Sequence, residues 1–193
     1  MNTMLRKSIL GIAGLTVAGG LAAGPLNHSD GTPAPRESAV AVQTRLDTAA
    51  LIPHGVQGAQ SHIDLDDEQT ANAKAIIAAT KKTGMDERAA VISIATSLQE
   101  SKLENLGHLG DRNDHDSQGL FQQRPSSGWG TVEQITDPEY STTAFLKALK
   151  QVDGWQDMPL TVAAQTVQVS AYPDHYAQWE QQAADIVAQH WNA

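Results

Sequence analysis

Cysteine is absent from all 193 residues. That excludes disulfides, thiolate zinc sites, a cysteine nucleophile and a lipid anchor carried on a cysteine. Basic residues are scarce: 13 Lys and Arg stand against 22 Asp and Glu, a formal net charge of −9. No basic cluster occurs in the body of the chain beyond Lys81-Lys82. A nucleic-acid binder usually presents a basic face, so no nucleic-acid partner is expected. A neutral or mixed-charge polymer such as a glycan is easier to reconcile with this balance. Aromatics make up only 5% of the residues, yet four of them are Trp. The hydrophobic fraction of 40% is enough for one domain with a proper core plus some sequence outside it.

Long apolar runs are also missing, with one exception at the start. "MNTMLRKSILGIAGLTVAGGLAAG" has basic Arg6 and Lys7, an apolar run from Ile9 to about Ala23, and small residues at its close. This pattern predicts a secretory signal peptide over 1–23, cut after Ala22 or Ala23, rather than a retained anchor. The product would be secreted, extracellular and associated with the cell wall, with no stable insertion in a membrane. Residues 24–62 are rich in Pro, Ser, Gly, Ala and Thr and read as an exposed flexible linker, with a weak helix conceivable over Glu37–Leu51.

From 63 to 193 the pattern is helical and strand signals are weak, so a mainly α domain is expected. "DDEQTANAKAIIAATKKTG" opens on acids and closes on Lys81, Lys82 and Gly84, which suits the helix dipole and a left-handed cap. "DERAAVISIATSLQES" repeats Ala90, Val91, Ile94, Ala95 and Leu98 at helical spacing. Glycines at 107, 110, 119, 128 and 130 then break the chain into an irregular lobe or a short β-ribbon. Asp137-Pro138 marks the start of a helix carrying Tyr140, Phe145, Leu146 and Leu149. Thr161 is the expected cap of another helix, with Val162, Ala163, Val167 and Val169 inward. Pro173 is the expected start of a last helix, with Tyr176, Trp179, Ala183, Ile186, Val187 and Trp191 on its packed stripe. Trp155 reads as a loop anchor.

Glu100 falls where the second of these helices ends. In solvent it would be an ordinary helix-end acid, mildly disfavoured by the dipole. Against the apolar wall of a cleft, desolvation would favour its protonated form and let it donate to a glycosidic oxygen.

Three short elements follow one another in order: Glu100-Ser101, then "GLFQQRP" at 119–125, then "AYPDHY" at 171–176. Together they resemble the lysozyme-like domain of the soluble lytic transglycosylases, which carry E-S, G-L-M-Q and A-Y-N elements. They are closer still to lysozyme-like domains of secreted cell-wall proteins in Gram-positive bacteria, and the likeness covers roughly 70–190. It implies a helical domain with a short irregular or β-ribbon lobe, acting on peptidoglycan glycan strands at the MurNAc–GlcNAc β-1,4 bond. Glu100 takes the place of the general acid and base, with Ser101 beside it. Gly119 would permit close approach of backbone or sugar. Gln122 and Gln123 supply amides for N-acetyl and hydroxyl groups. Tyr172 sits where the family has a tyrosine that holds the catalytic carboxyl. Leu120 and Phe121 read as core, and Trp129 either stacks on a sugar or pins its loop.

Phe121 stands in place of the family's Met, and Pro173 in place of its Asn, which removes a polar side chain. A non-catalytic or weakly active wall-binding module is therefore the alternative. The loop "GDRNDHDSQG" (110–119) offers Asp111, Asp114 and Asp116. It is no EF-hand, because loop positions 5, 6 and 12 counted from Asp111 are His115, Asp116 and Gln122. No metal and no cofactor is expected. Asp116 is the candidate second carboxylate: about 5–5.5 Å between carboxyls suits retention and about 6.5–9.5 Å inversion. Without a second carboxylate, Glu100 would act alone and close a 1,6-anhydro ring. Hydrolase and transglycosylase both stay open, and no feature specifies an oligomeric state.

Overall fold

Helix α3 (Glu87–Ser101) is the axis of the domain in the computed structural model, which describes residues 46–113 and 115–193. Every residue from Arg88 to Leu98 is buried. A helix apolar on all sides belongs in the middle of a core, and its small residues let neighbours come close on every face. Ser93 and Thr96 satisfy their buried hydroxyls by donating back to the carbonyls of Ala89 and Ile92.

Around it lie α1 (Thr48–Leu51), α2 (Asp67–Lys82), α5 (Pro138–Leu149), α6 (Leu160–Gln168) and α7 (Glu180–His190), with the four-residue α4 (Val132–Ile135) packed on α5. The helix signals in the sequence are realised in detail. Asp66 and Gln69 form a capping box ahead of α2, and Gly84 follows it with φ +72°. Asp86 caps α3 through Ala89 N–H, and Asp137 caps α5 with Pro138 at its first position. The core joins Ile76 and Ile77 of α2, Leu98 of α3, Phe145 and Leu146 of α5 and Val187 of α7.

One buried ion pair ties the N-terminal end of α3 to its neighbours. Arg88 Nη1 donates to Glu180 Oε1 at 2.7 Å and to the Leu51 carbonyl at 3.0 Å, while Nη2 reaches the Met158 carbonyl at 3.3 Å. Three separate chain segments are thereby fixed to one guanidinium.

Several expectations need correction. The signal peptide and the first part of the linker lie outside the described residues. Residues 46–62, however, are tied to the domain at both ends, although 53–59 between them are exposed as expected. Leu51 and Ile52 are buried in the core, Gln60 Nε2 donates to the Ala177 carbonyl at 3.0 Å, and Ser61 N–H donates to the Gln178 carbonyl at 2.7 Å. The apolar residues here are few, but they cover the end of α7. Thr161 caps nothing: α6 begins after Pro159, and the Thr161 hydroxyl donates to the Pro173 carbonyl at 2.6 Å. Val162 and Val169 face solvent, the latter at a left-handed φ of +52° that ends the helix. The last helix starts later than Pro173, through a 3-10 turn over His175–Trp179 into α7. Tyr176, Trp179, Ala183, Ile186 and Val187 are buried as expected, Trp191 is half-buried, and Trp155 is buried at its turn.

The central lobe contains no strand among the described residues. Its one ladder contact is an isolated antiparallel bridge between Gln118 and Gln123. The lobe is held by single bonds, one to the turn after α4 from Asn105 Nδ2 to the Thr136 carbonyl at 2.7 Å, and one within the lobe from Gly119 N–H to the Leu106 carbonyl at 2.7 Å. Gly119 has φ +76°, and a Cβ there would lie 2.1 Å from the Ile135 carbonyl oxygen. The need for glycine is therefore the approach of α4's backbone, not of a sugar. Gly119→Ala is expected to destabilise the domain by about 2–4 kcal/mol, read as a lower urea midpoint with an unchanged slope.

Candidate active site

The end of α3 opens into a groove of about 800 Å³. One wall is the GLFQQRP loop with Trp129, and the other is the segment from Val167 to Tyr172 at the end of α6. Glu100 is half-buried on its floor. It lies one helical position past Gln99, whose Oε1 accepts from Trp179 Nε1 at 2.9 Å and Gln178 Nε2 at 3.0 Å. Those two bonds fix the last turn of α3 against the 3-10 turn that precedes α7.

Glu100 itself is held by a tyrosine. Tyr176 Oη donates to Glu100 Oε1 at 2.6 Å. Tyr176 is completely buried. Burial first, then the Glu100 charge and the hydrogen bond to it, push the phenol well above its ordinary range, against a smaller opposing effect of Ser170. It therefore stays protonated and remains a donor across the whole working pH range. Lys102 supplies the nearest positive charge in the sequence. Its Nζ sits 4.5 Å from the centre of the Trp179 ring and donates to the Leu98 carbonyl at 3.0 Å. Burial lowers the pKa of this ammonium, and the charge of Glu100 acts in the opposite direction.

The tyrosine that holds the carboxyl is thus Tyr176 and not Tyr172. Both stand in "AYPDHY", but Tyr172 is 61% exposed, stacks on His175 at 4.9 Å, and lines the groove's rim. Tyr176 shares the inward stripe with Trp179 and Ala183. That stripe was legible as packing, and nothing in the spacing marked its hydroxyl as a partner for Glu100.

No protein-family model and no curated protein matches this chain.

Gln122, Gln123 and Trp129 all line the groove. Gln123 is almost wholly buried. Its Nε2 donates to the Ser141 carbonyl at 3.2 Å, while its Oε1 has no hydrogen-bond partner among the described residues. An acceptor buried without a donor costs stability. Gln122 takes a left-handed φ of +46° and donates from Nε2 to the Gly119 carbonyl at 3.0 Å. Leu120 and Phe121 are core residues as expected, with Phe121 stacked on Phe145 at 5.0 Å.

Ser101 does not face the groove. It is buried, and its hydroxyl donates to the carbonyls of Leu120 at 2.8 Å and Ser97 at 3.1 Å, so it fastens the GLFQQRP loop to α3. Gln168 Nε2 fastens the other wall to the same loop at the Phe121 carbonyl, 2.8 Å.

Asp116 is not a second carboxylate of this site. It is absent from the groove's lining, and its two oxygens accept from the Ser126 N–H and hydroxyl, each at 2.8 Å. Those bonds hold its carboxyl below the usual carboxylate range. Asp111 is exposed in its 3-10 turn, and Asp114 lies outside the described residues. No cluster of three or more His, Asp or Glu suited to a metal ion occurs among the described residues. Glu100 is the one carboxylate among the described residues that line the groove.

Tyr176→Phe removes a donor to the ionised form of Glu100, which disfavours that form. The Glu100 carboxyl is expected to titrate at higher pH in the variant than in the wild type, followed by carboxyl ¹³C NMR. The loss in stability should be about 1–2 kcal/mol.

Proposed function

We propose that this protein is a lysozyme-like, peptidoglycan-cleaving enzyme of the lytic transglycosylase type, with Glu100 as its general acid and base. The observation that carries the reading is a carboxyl at the end of a buried helix, in an 800 Å³ groove, with a buried tyrosine hydroxyl 2.6 Å from one of its oxygens. Such a group is held in place within a groove wide enough for a ligand.

The groove suits a glycan in its chemistry. Gln122 and Gln123 line the groove, and side-chain amides are the groups that pair with N-acetyl and hydroxyl groups. Trp129 and Tyr172 offer flat apolar faces for sugar rings at opposite walls. A single lining carboxylate among the described residues favours the one-acid route over the two routes that need a carboxyl pair. Glu100 protonates the oxygen of the β-1,4 bond, and the C1–O bond breaks to free the 4-hydroxyl of the GlcNAc. The resulting carboxylate then takes the proton of the muramyl 6-hydroxyl as that oxygen bonds to C1. A 1,6-anhydro ring closes, Glu100 is protonated again, and no water is consumed. Tyr176 holds the carboxyl in one orientation through both steps and donates more strongly to its ionised form.

Secretion through the segment over 1–23 is the expected route to this substrate. Among the described residues no helix is long and apolar enough to cross a membrane.

The test is product analysis. Purified peptidoglycan incubated with wild type is expected to release soluble muropeptides ending in anhydro-MurNAc, identified by mass. Glu100→Gln should reduce the release by at least about a hundredfold. Reducing-end products would assign a hydrolase. Co-sedimentation of wild type with the wall and no release would assign the binding module that Pro173, in place of a polar residue, leaves as the alternative.

A further inference from the structure

The 3-10 turn over His175–Trp179 makes three kinds of contact around Glu100. Tyr176 Oη donates to its carboxyl, Gln178 and Trp179 bond the amide of Gln99 beside it, and the Trp179 ring meets the Lys102 ammonium. A 3-10 turn makes poorer hydrogen bonds than an α-helix and holds its geometry less firmly by itself. Neither this turn nor α7 after it has a side-chain cap from its own N-cap residue. The side chains on the turn are therefore only as well placed as whatever fixes it from outside.

That support comes from the segment that reads as linker in the sequence. Gln60 uses both ends of its amide at the junction between the turn and α7. Its Nε2 donates to the Ala177 carbonyl at 3.0 Å, and its Oε1 accepts from the Gln181 N–H at 3.0 Å. It thus serves an N–H of the first turn of α7 as a cap would, from 121 residues away. Ser61 takes the next carbonyl: its N–H donates to that of Gln178 at 2.7 Å, and its hydroxyl donates to Gln178 Oε1 at 2.6 Å. Ile63 completes the clasp through its N–H and carbonyl, which bond the Gln182 side chain at 3.1 and 2.7 Å. Residues 53–59 are exposed, so the polar contacts resume behind Glu100 and do not run along the whole segment.

The direction of these bonds is fixed by the indole. Trp179 Nε1 can only donate, so Gln99 presents its Oε1 there, at 2.9 Å. Gln178 must then meet the same oxygen with its Nε2, at 3.0 Å, which leaves its own Oε1 facing Ser61. A hydroxyl donor is what that oxygen requires. We propose that Gln60 and Ser61 are positioning residues of the active site, clamping the 3-10 turn from outside and so keeping Tyr176 and Gln99 in register with Glu100. The bearing of the clamp on catalysis rests on the reading of Glu100 as the group that cleaves, whereas its hold on the carboxyl does not.

The test uses the whole chain and two readouts. The first is the titration of the Glu100 carboxyl, followed by ¹³C NMR. The second is kcat and KM for release of muropeptides from soluble glycan strands. Ser61→Ala removes the hydroxyl, Gln60→Ala removes both amide bonds, and Ser61→Thr keeps a hydroxyl. Ile77→Val shortens a core side chain of α2 that does not line the groove, and is the control for a lowered melting temperature. If neither alanine variant folds, Gln60→Glu replaces them, since it keeps the acceptor for Gln181 and loses the donor to Ala177.

A loosened turn leaves the ionised Glu100 without its tyrosine donor for part of the time, which disfavours that form. Glu100 is therefore expected to titrate at higher pH in Ser61→Ala and Gln60→Ala than in wild type, in the direction of Tyr176→Phe. Ser61→Thr and Ile77→Val should leave it unchanged. In the two alanine variants kcat should fall at least about fivefold while KM stays within about twofold, because the walls that bind the strand are not altered. An unchanged titration in both would overturn the inference. So would an equal shift in Ile77→Val, which would mark general loosening, or a shift in Ser61→Thr as large as in Ser61→Ala. A shifted titration with an unchanged kcat would overturn the role in catalysis. If wild type releases no product, the cleavage reading fails, and the titration still decides whether the clamp holds Glu100.

Discussion

Burial of α3 from Arg88 to Leu98 is the constraint on which the rest of the molecule depends. A helix buried from Arg88 to Leu98 needs a neighbour on every face, and α1, α2, α5, α6 and α7 are placed by that need. Its two ends are then the places where polar groups must be reconciled with a core. At the N-terminal end the solution is a closed ion pair, Arg88 with Glu180, bonded also to the backbone of two other segments. At the C-terminal end the solution is open. Gln99 and Ser101 turn to the 3-10 turn before α7 and to the GLFQQRP loop, while Glu100 between them reaches the groove. A single buried helix thus sets both the packing of the domain and the position of Glu100 in the groove.

The walls of the groove are fastened to that same helix and to each other. Ser101 holds the Leu120 carbonyl, Gln168 holds the Phe121 carbonyl, and Gln123 holds the Ser141 carbonyl on α5. The first two bonds use a side chain to satisfy the backbone of an irregular loop, and the third ties a side chain of that loop to a helix; among the described residues the loop has no ladder of its own beyond the Gln118–Gln123 bridge. Rigid walls of this kind are what a binding groove requires, since side chains locked before the ligand arrives lose less freedom when it does. Glu100 and Arg124 give the same groove a carboxyl and a guanidinium, each bonded to neighbours, Tyr176 for one and Ser117 with His115 for the other.

The helices were legible because their signals are local. Asp66, Asp86 and Asp137 are caps within three residues of the N–H groups they serve, and the apolar stripes of α2, α3 and α5 follow one period. Glu100 was legible for a related reason: its place at the end of an apolar helix is fixed once the helix is. The partners were not. Tyr176 lies 76 residues away, and its hydroxyl meets Glu100 only because α3 packs on the segment before α7. Tyr172 was the natural choice by motif, but the turn at Pro173 and Asp174 leaves it on the rim. Asp116 was acidic and adjacent to the motif, yet Ser126 had prior claim on both its oxygens. Residues 46–62 read as linker because burial of two residues, Leu51 and Ile52, leaves no periodic trace. Such long-range pairings are decided by packing and not by spacing.

The central claim is that a glycosidic oxygen is brought to the carboxyl of Glu100 in this groove. The most direct measurement is a crystal structure of the Glu100→Gln variant with a bound MurNAc–GlcNAc tetramer. The expected result is a strand lying between Trp129 and Tyr172, with a β-1,4 oxygen within about 3 Å of the residue 100 side chain and Tyr176 still bonded to that side chain. A strand bound elsewhere on the surface, or one crossing the groove with its linking oxygens out of reach of residue 100, would contradict it.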